Sequence, residues 1–230
     1  MKKIKGVEKN MKYGIDLSHH NKIYDYEKAF ANKDFLIIRA GFGKDKRQMD
    51  KNLKMNVENA IKYKIPFGIY WYSYAKNVND AIQEANVCIS ILVENNIKPT
   101  FPIFFDIEDG TQALNTKTLN TEIVKTFCDE IEKAGFKAGF YTYHSFMLNY
   151  LDITKLEKYD FWYANCTTTA NELTEKYSIH QYTFKLENSG IFGKVDGDKM
   201  SDSYYDRYVK AEKPTAYDAL KILQKVVGIE

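Results

Sequence analysis

The sequence predicts an α/β fold in which parallel strands alternate with helices. Short apolar runs alternate with longer amphipathic stretches through residue 145, and this pattern is typical of parallel βαβ units. About five such units are followed by strands without long helices between them, which favours a barrel with an incomplete last part. An open doubly wound sheet is the alternative, although the phosphate-binding motifs GxGxxG and GxxxxGK[ST] do not occur.

Local patterns predict the individual elements. Strands are expected in the short apolar runs, at 13–18, 35–40, 66–75, 102–108, 137–145 and 160–165, with weaker signals at 178–183 and 194–198. Helices are expected where apolar residues recur at helical spacing, at 25–30, 52–64, 80–96 and 121–135. Asp80 is the expected N-cap of the third helix, and Gly135 is the expected left-handed residue after the fourth.

The composition is that of an ordinary globular protein. Of the 230 residues, 44% are hydrophobic and 28% are charged, so enough apolar material is present for a large core. The formal net charge of +2 gives no electrostatic reason to expect nucleic-acid binding. Aromatic residues are frequent, with 18 tyrosines and 14 phenylalanines. Tyrosine rings either fill the layers of a barrel or stack on sugars at wet surfaces.

We divide the chain into an appendage at 1–10, a barrel at 11–205 and a helical tail at 206–230. In the tail, Thr215 is placed to cap a helix from 216 to about 227. Its apolar stripe either packs on the barrel or is a remnant of a partner-binding helix. No apolar run is long enough to span a membrane, and the basic start lacks the apolar segment of a secretory signal.

Three cysteines, Cys88, Cys128 and Cys166, are widely spaced and form no CxxC pair. We therefore expect small buried hydrophobic residues rather than a zinc site or a disulfide framework.

The strongest chemical signal is a pair of carboxylates at the end of a predicted strand. In FFDIEDG, Asp106 and Glu108 are two residues apart and so share one face of the strand. Because close carboxylates cannot both ionise without cost, one pKa rises, and a protonated carboxyl can donate to a leaving glycosidic oxygen. Asp16 and Asp196 would join them at the mouth of a closed barrel. The alternative interpretation is solvated acids at strand ends.

Aromatic residues occur at the same strand ends, in YWYSYA, which contains Tyr70 and Tyr72, and in FYTYH and FWYAN. Acids for proton transfer beside rings for stacking suit a neutral or N-acetylated sugar.

Together these motifs resemble glycoside hydrolase family 25. The resemblance runs from about Tyr13 to Met200 and depends on the order in which ten motifs follow one another. In chain order they are GIDLSHHN, FLIIRAGFG, a D…N…A segment (Asp50, Asn56, Ala60), IPFGIYWYSYA, an A…EA helix (Ala81, Glu84, Ala85), PIFFDIED, AGFYTYHSF, FWYAN, HQYT and GKVDGDKM. It implies an irregular TIM-like barrel of five β/α units and three further strands, (β/α)5(β)3, with a C-terminal helical extension. It also implies cleavage of the β-1,4 bond between N-acetylmuramic acid and N-acetylglucosamine in peptidoglycan.

The resemblance also implies roles for individual residues. Glu108 matches the general acid of the family, and Asp106, Asp16 and Asp196 match its other acids. The sugar-facing motifs are matched at Tyr141, Trp162, Tyr163, Asn165 and Gln181. Two positions differ from the family: His180 stands where Trp often precedes the Gln, and Gly197-Asp198 replaces a more usual Leu-Asn.

Strand geometry bears on the expected mechanism. Asp106 and Glu108 lie on the same side of one strand, so they are poorly placed to attack opposite faces of one anomeric carbon. We therefore expect Glu108 to act as acid and then base, with the 2-acetamido group of the substrate as nucleophile and Asp106 orienting it. Direct attack by a carboxylate is the alternative.

Two other functions stay open at this point. Asp16, His19 or His20, Asp106 and Glu108 are possible metal ligands, as in a polysaccharide deacetylase, but no HxH or HExxH spacing occurs. A barrel of this shape could also bind glycan without cleaving it. We expect no cofactor or metal, a glycan-strand partner, and no nucleic acid or membrane insertion. Action at the cell wall would need phage-type release or a removed signal, and both endolysin and autolysin are open.

Overall fold

The structure is a computed structural model that describes residues 10–167 and 177–210. The tail helix predicted at 216–227 lies outside the described residues, as does most of the 1–10 appendage. No helix in the described ranges is both long and apolar enough to cross a membrane.

Eight strands form a closed barrel, and two short strands form a separate sheet. The strands are β1 (Met11–Leu17), β2 (Lys22–Ile23), β3 (Phe35–Phe42), β4 (Phe67–Tyr72), β5 (Ile103–Asp106), β6 (Ala138–Tyr143), β7 (Asp160–Ala164), β8 (Ile179–Glu187), β9 (Ile191–Phe192) and β10 (Lys194–Ser201). The barrel order is β1-β10-β8-β7-β6-β5-β4-β3, and β3 closes onto β1. The strand β10 is antiparallel to both neighbours, whereas all the other barrel strands pair in parallel.

Helices connect the parallel strands on the outside of the barrel. They are α1 (Tyr26–Phe30), α2 (Leu53–Lys62), α3 (Val78–Glu94), α4 (Lys117–Lys133), α5 (His144–Tyr150) and α6 (Asp202–Val209). One helix follows each of the first five parallel strands, and β7, β8 and β10 complete the barrel. This confirms the predicted (β/α)5(β)3 architecture, and the closed barrel excludes the open-sheet alternative. The small β2–β9 sheet was not predicted, since each strand has only two residues.

Helix ends follow local capping chemistry, and one predicted cap is wrong. Asn77, not Asp80, is the N-cap of α3, because its side chain accepts a hydrogen bond from the Asp80 backbone N–H at 2.9 Å. The helix α4 begins one turn earlier than predicted, where Thr116 caps the Leu119 N–H. Gly135 follows the end of α4 with φ +88°, as predicted for a left-handed residue.

Two apolar layers separate the inside of the barrel from its helices. On β3, Leu36 and Ile38 face the helices, whereas Phe35 and Ile37 face the barrel interior. The helix α6 closes the amino-terminal end of the interior, where the rings of Tyr205 and Tyr208 each lie 5.7 Å from the Phe101 ring. This helix spans the boundary predicted between residues 205 and 206. Among the described residues, the carboxyl-terminal end of the barrel opens into a cavity.

The cysteines are only partly as predicted. Cys88 and Cys128 are buried against the helical layer, whereas Cys166 is exposed. The prediction of a buried thiol is wrong for Cys166 because β7 ends at Ala164 and the chain leaves the barrel there.

Candidate active site

The carboxyl ends of the parallel strands surround a cavity of about 310 Å³. This is the end at which barrel enzymes hold their catalytic groups. The cavity is lined by Asp16, Ser18, His20, Asn21, Arg39, Tyr70, Tyr72, Asp106, Glu108, Tyr141, Trp162, Gln181 and Asp196. All four predicted acids are therefore in one cavity, with five of the seven predicted sugar-binding residues.

Glu108 reaches the cavity from just beyond a strand. The strand β5 ends at Asp106, so Glu108 is not inside the strand as the sequence suggested. The Ile107 N–H still donates to the Tyr141 carbonyl at 3.0 Å, which continues the extended backbone past the strand end. Alternation is thereby preserved: Asp106 and Glu108 face the cavity, and Ile107 is fully buried on the other side.

Burial raises the pKa of both acids of this pair. For Asp106, which is 5% exposed, burial and the neighbouring Glu108 charge raise the pKa well above its usual range, while Arg39 opposes the shift. For Glu108, burial and the charge of Asp196 raise the pKa to about 7. The pair therefore holds a proton near neutral pH. Within the described residues, Asp106 Oδ1 is buried without a hydrogen-bond partner.

A second set of acids lies across the cavity on β1 and β10. Burial, then the charges of Asp198 and Asp196, raise the pKa of Asp16 well above its usual range. Burial raises the pKa of Asp196 to about 6 and that of Asp198 to about 8. Asp198 is 0% exposed and is not among the residues that line the cavity. In the sequence it stood out only as a departure from the pattern of the family that the chain resembles.

A hydrogen-bond chain runs from Tyr141 to Asp16. The Tyr141 hydroxyl donates to Gln181 Oε1 at 2.8 Å, and Gln181 Nε2 donates to Asp16 Oδ2 at 2.7 Å. Tyr141 also lowers the pKa of Glu108 against the larger effect of burial. Gln181 thus holds the side chains of Tyr141 and Asp16 in place.

Aromatic rings form part of the cavity wall. The Trp162 ring lies 4.5 Å from the Tyr141 ring and 5.8 Å from the Tyr70 ring, measured between centroids. Tyr72 is partly exposed at the rim, and its ring contacts that of Tyr74, which is 45% exposed. These faces offer the stacking surface that a sugar needs.

Tyr163 and Asn165 do not line this cavity, so their predicted sugar-binding role stays a prediction. Successive strand residues point to opposite faces, so an inward Trp162 turns Tyr163 toward the helices. The Tyr163 hydroxyl contacts His144 Nδ1 at 2.6 Å and accepts from Asn165 Nδ2 at 3.0 Å. His180 lies on the same outer side, where its Nε2 donates to the Asn165 carbonyl at 2.8 Å.

Arg39 is a cavity residue that the sequence analysis missed. It lies on β3, where its Nε donates to Asp50 Oδ2 at 2.7 Å and its guanidinium contacts His19. Asp50 is 2% exposed and also accepts from the backbone N–H groups of His19 and Asn52. A charged residue in the apolar run FLIIRA, followed by the D…N…A segment, is the signal that could have revealed this ion pair.

Side-chain geometry does not favour the metal-site alternative. Across residues 10–167 and 177–210, no group of three or more His, Cys, Asp or Glu is arranged to hold a metal ion. His19 is hydrogen-bonded to Asp50 at 2.9 Å and does not line the cavity, whereas His20 does.

A larger cavity, about 440 Å³, lies at the opposite end of β7 beside α6. Its lining includes Asp160 and Arg207, which pair with each other at 3.1 Å. It has no carboxylate pair like that of Asp106 and Glu108.

Several solved structures share this fold. The modular autolysin LytC from Streptococcus pneumoniae, solved in complex with a synthetic peptidoglycan ligand, is 27% identical with a TM-score of 0.74, and the match covers 83% of this chain and 46% of LytC. The CTP1L endolysin is 27% identical with a TM-score of 0.75, over 89% of this chain and 71% of that one. The catalytic domain of endolysin ply40 from bacteriophage P40 of Listeria monocytogenes is 23% identical with a TM-score of 0.69, over 88% and 98% of the two chains, and shows the fold alone.

This chain spans less than half the length of the LytC structure, and no match to a curated protein is found. The model of the family "Glycosyl hydrolases family 25" matches residues 15–191. That range runs from within β1 to the first residue of β9 and contains three of the four predicted acids, and Asp196 follows it on β10. The chain belongs to family 25 of the glycosyl hydrolases.

Proposed function

We propose that this glycoside hydrolase cleaves the β-1,4 bond between N-acetylmuramic acid and N-acetylglucosamine in peptidoglycan. The observation that carries the proposal is the buried Asp106–Glu108 pair at the open end of the barrel. The peptidoglycan ligand of LytC, a relative by fold and sequence, supports the choice of substrate. The enzyme would act on cell-wall glycan strands.

In the proposed reaction, Glu108 supplies and then recovers one proton. Its pKa of about 7 keeps a substantial protonated fraction near neutral pH. As the glycosidic bond breaks, Glu108 gives this proton to the leaving oxygen. In the second step Glu108 takes a proton from the attacking water, which restores the enzyme.

Asp106 is suited to orient the acetamido group of the substrate. Its Oδ1 is buried without a partner in the described residues, so it can accept the acetamido N–H. The proposed mechanism requires the proton of the pair to lie on Glu108. Arg39 favours this by lowering the pKa of Asp106, against the larger effects of burial and of the Glu108 charge. The acetamido carbonyl oxygen then forms a bond to the anomeric carbon as the bond to the leaving oxygen breaks. Water opens the resulting ring, and two displacements at one carbon retain the β configuration.

The decisive experiment digests purified peptidoglycan and identifies the new reducing ends by mass spectrometry. Muramic-acid ends are expected, whereas glucosamine ends would show a glucosaminidase and free peptides an amidase or peptidase. Acetate release without chain cleavage, abolished by EDTA and restored by zinc, would support the deacetylase alternative. Binding without any product would indicate a glycan-binding barrel.

Proton NMR of the anomeric signal during early turnover tests the mechanism. A β first product is expected from the substrate-assisted path, and a thiazoline analogue of the cyclic intermediate should bind more tightly than the plain sugar. An α first product would show inversion. A covalent glycosyl adduct on a carboxylate would instead show direct nucleophilic attack.

A further inference from the structure

Glu108 lies beyond the end of its strand, so its position depends on contacts other than the strand ladder. The strand β5 ends at Asp106, and one more backbone bond to β6 follows, from the Ile107 N–H to the Tyr141 carbonyl at 3.0 Å. The direction of a side chain depends on φ and ψ, which relate the peptide planes before and after the residue. The groups that hold those two planes therefore direct the Glu108 carboxyl group into the cavity.

The peptide plane before Glu108 is held by a threonine of β6. The Ile107 carbonyl, which belongs to this plane, accepts a hydrogen bond from Thr142 Oγ1 at 2.7 Å. Thr142 is 0% exposed, and because it follows the inward-facing Tyr141 it points away from the cavity. Its hydroxyl thus holds the backbone of Glu108 from outside the cavity.

The peptide plane after Glu108 is held by a glutamine in the turn that follows. The Asp109 N–H, which belongs to this plane, donates to Gln112 Oε1 at 3.1 Å. Gln112 Nε2 is anchored on the loop after β4, where it donates to Ser73 Oγ at 3.1 Å and to the Ala75 carbonyl at 3.2 Å. Gln112 is 0% exposed, and its amide supplies the acceptor and both donors that this place requires.

We propose that Thr142 and Gln112 are positioning residues that together fix the direction of the Glu108 side chain. Within the described residues, their two bonds are the only hydrogen bonds to the planes that flank Glu108. Both side chains are uncharged, so they act on the direction of Glu108 rather than on its charge. The catalytic consequence rests on the proposed function, whereas the hold on the Glu108 backbone does not.

A matched set of threonine variants tests the positioning role. Thr142→Val keeps the shape and removes the hydroxyl, whereas Thr142→Ser keeps the hydroxyl. On soluble glycan strands of peptidoglycan, Thr142→Val should lower kcat by about tenfold or more with little change in KM, because misplacing a reacting group slows the chemical step. Thr142→Ser should recover most of that loss.

Thr121→Val is the matched control. Thr121 is a buried threonine of α4 outside the cavity, and its hydroxyl also donates to a carbonyl, that of Lys117, at 2.8 Å. This variant should lower the melting temperature about as much as Thr142→Val does and leave kcat near the wild-type value. Equal losses of kcat in the two variants, or a loss that Thr142→Ser does not recover, would overturn the proposal.

Gln112→Met tests the second plane, because methionine fills the space but cannot accept from the Asp109 N–H. The same loss of kcat with little change in KM is expected, and normal kcat would remove Gln112 from the role. This variant also tests the proposal if Thr142→Val fails to fold.

The pKa of Glu108 can be measured without substrate. Burial raises it to about 7, so a carboxyl group that is free to turn toward solvent should have a lower pKa. In full-length protein with ¹³C-labelled glutamate, the Glu108 carboxyl signal is the one absent from Glu108→Gln. Its midpoint should fall by about half a pH unit or more in Thr142→Val and stay unchanged in Thr121→Val.

A fall in this midpoint would report a change in the hydration of Glu108. Both threonine variants keep the titratable groups that interact with it, which are Tyr72, Asp106, Asp109, Tyr141, Tyr143 and Asp196. If the wild-type enzyme is inactive, a lower midpoint in Thr142→Val would reject the proposed function and keep the positioning of Glu108. An unshifted midpoint in that case would overturn both.

Discussion

The two acids on β5 differ in their surroundings although they are only two residues apart. Asp106 lies 5% exposed on the floor of the cavity, where Arg39 opposes the rise of its pKa. Glu108 faces Asp196 instead, whose charge adds to the effect of burial. The proposed mechanism requires Asp106 to be ionised and Glu108 to be protonated. Arg39 favours this division, whereas the deeper burial of Asp106 opposes it.

Replacing Glu108 by Gln should reduce kcat by at least about a hundredfold, since the shape is kept but the proton donor is lost. The measurement is the initial rate of peptidoglycan solubilisation at pH 6. Glu84→Gln is a matched control: burial raises the Glu84 pKa to about 7 as well, but Glu84 lies outside the cavity. Near-normal activity of Glu108→Gln, or an equal loss in the control, would remove Glu108 from the acid role.

The pH profile of kcat/KM should fall as pH rises through about 7, because Glu108 must be protonated in the free enzyme. Replacing Arg39 by Gln removes the charge that favours the ionised form of Asp106. We therefore expect the acidic limb of the profile to move to higher pH in this variant and the maximal rate to fall. An Arg39→Gln profile with an unmoved acidic limb would show that Arg39 does not control the ionisation of Asp106.

At the scale of elements, strand alternation explains which side chains of the predicted site enter the cavity. The sequence could place Asp106 and Glu108 on one face because their relative orientation depends only on local backbone geometry. The outward face of Tyr163 could not be assigned, since FWYAN is apolar on both faces and pairing with β6 and β8 decides which ring enters the barrel.

The short elements escaped prediction for a different reason. The β2–β9 pair and α6 have too few residues to show a period, and their stability comes from contacts with distant segments. The helix α6 forms where Ser201 caps it and where its tyrosines pack on Phe101 at the end of the barrel. Such contacts cannot be read from DSYYDRYV alone.

A glycine of β6 makes room for a ring inside the barrel, and its replacement should destabilise the fold. A Cβ added at Gly139 would lie 2.6 Å from both the Phe104 ring and the Asp160 carbonyl. We expect Gly139→Ala to cost about 1–3 kcal/mol in the free energy of unfolding, as overpacking usually does. Gly110→Ala is the control, because a Cβ there meets nothing within 4 Å. Equal midpoints in urea for the two variants would contradict this packing argument.

At the scale of the whole molecule, folding closes a barrel around acids whose pKa values are raised by burial. The raised values are about 6 for Asp196, about 7 for Glu84 and Glu108, and about 8 for Asp198. In the unfolded chain these acids ionise near pH 4. The folded state therefore binds more protons between pH 4 and about 8, and its stability falls as pH rises through that window.

The melting temperature should consequently be higher at pH 5.5 than at pH 8.5, by about 5 °C or more, since 1 kcal/mol corresponds to roughly 2–4 °C in a domain of this size. Glu108→Gln should make the melting temperature fall less between pH 5.5 and 8.5, because Gln has no proton to lose on unfolding. Asp45→Asn should leave it unchanged, since Asp45 is an exposed acid whose hydrogen bonds with Arg47 lower its pKa to about 2. Calorimetry across the pH range measures all three proteins. A wild-type melting temperature that rises from pH 5.5 to 8.5 would mean that the cavity acids fold in their ionised forms, contrary to the proton-holding role argued for Glu108.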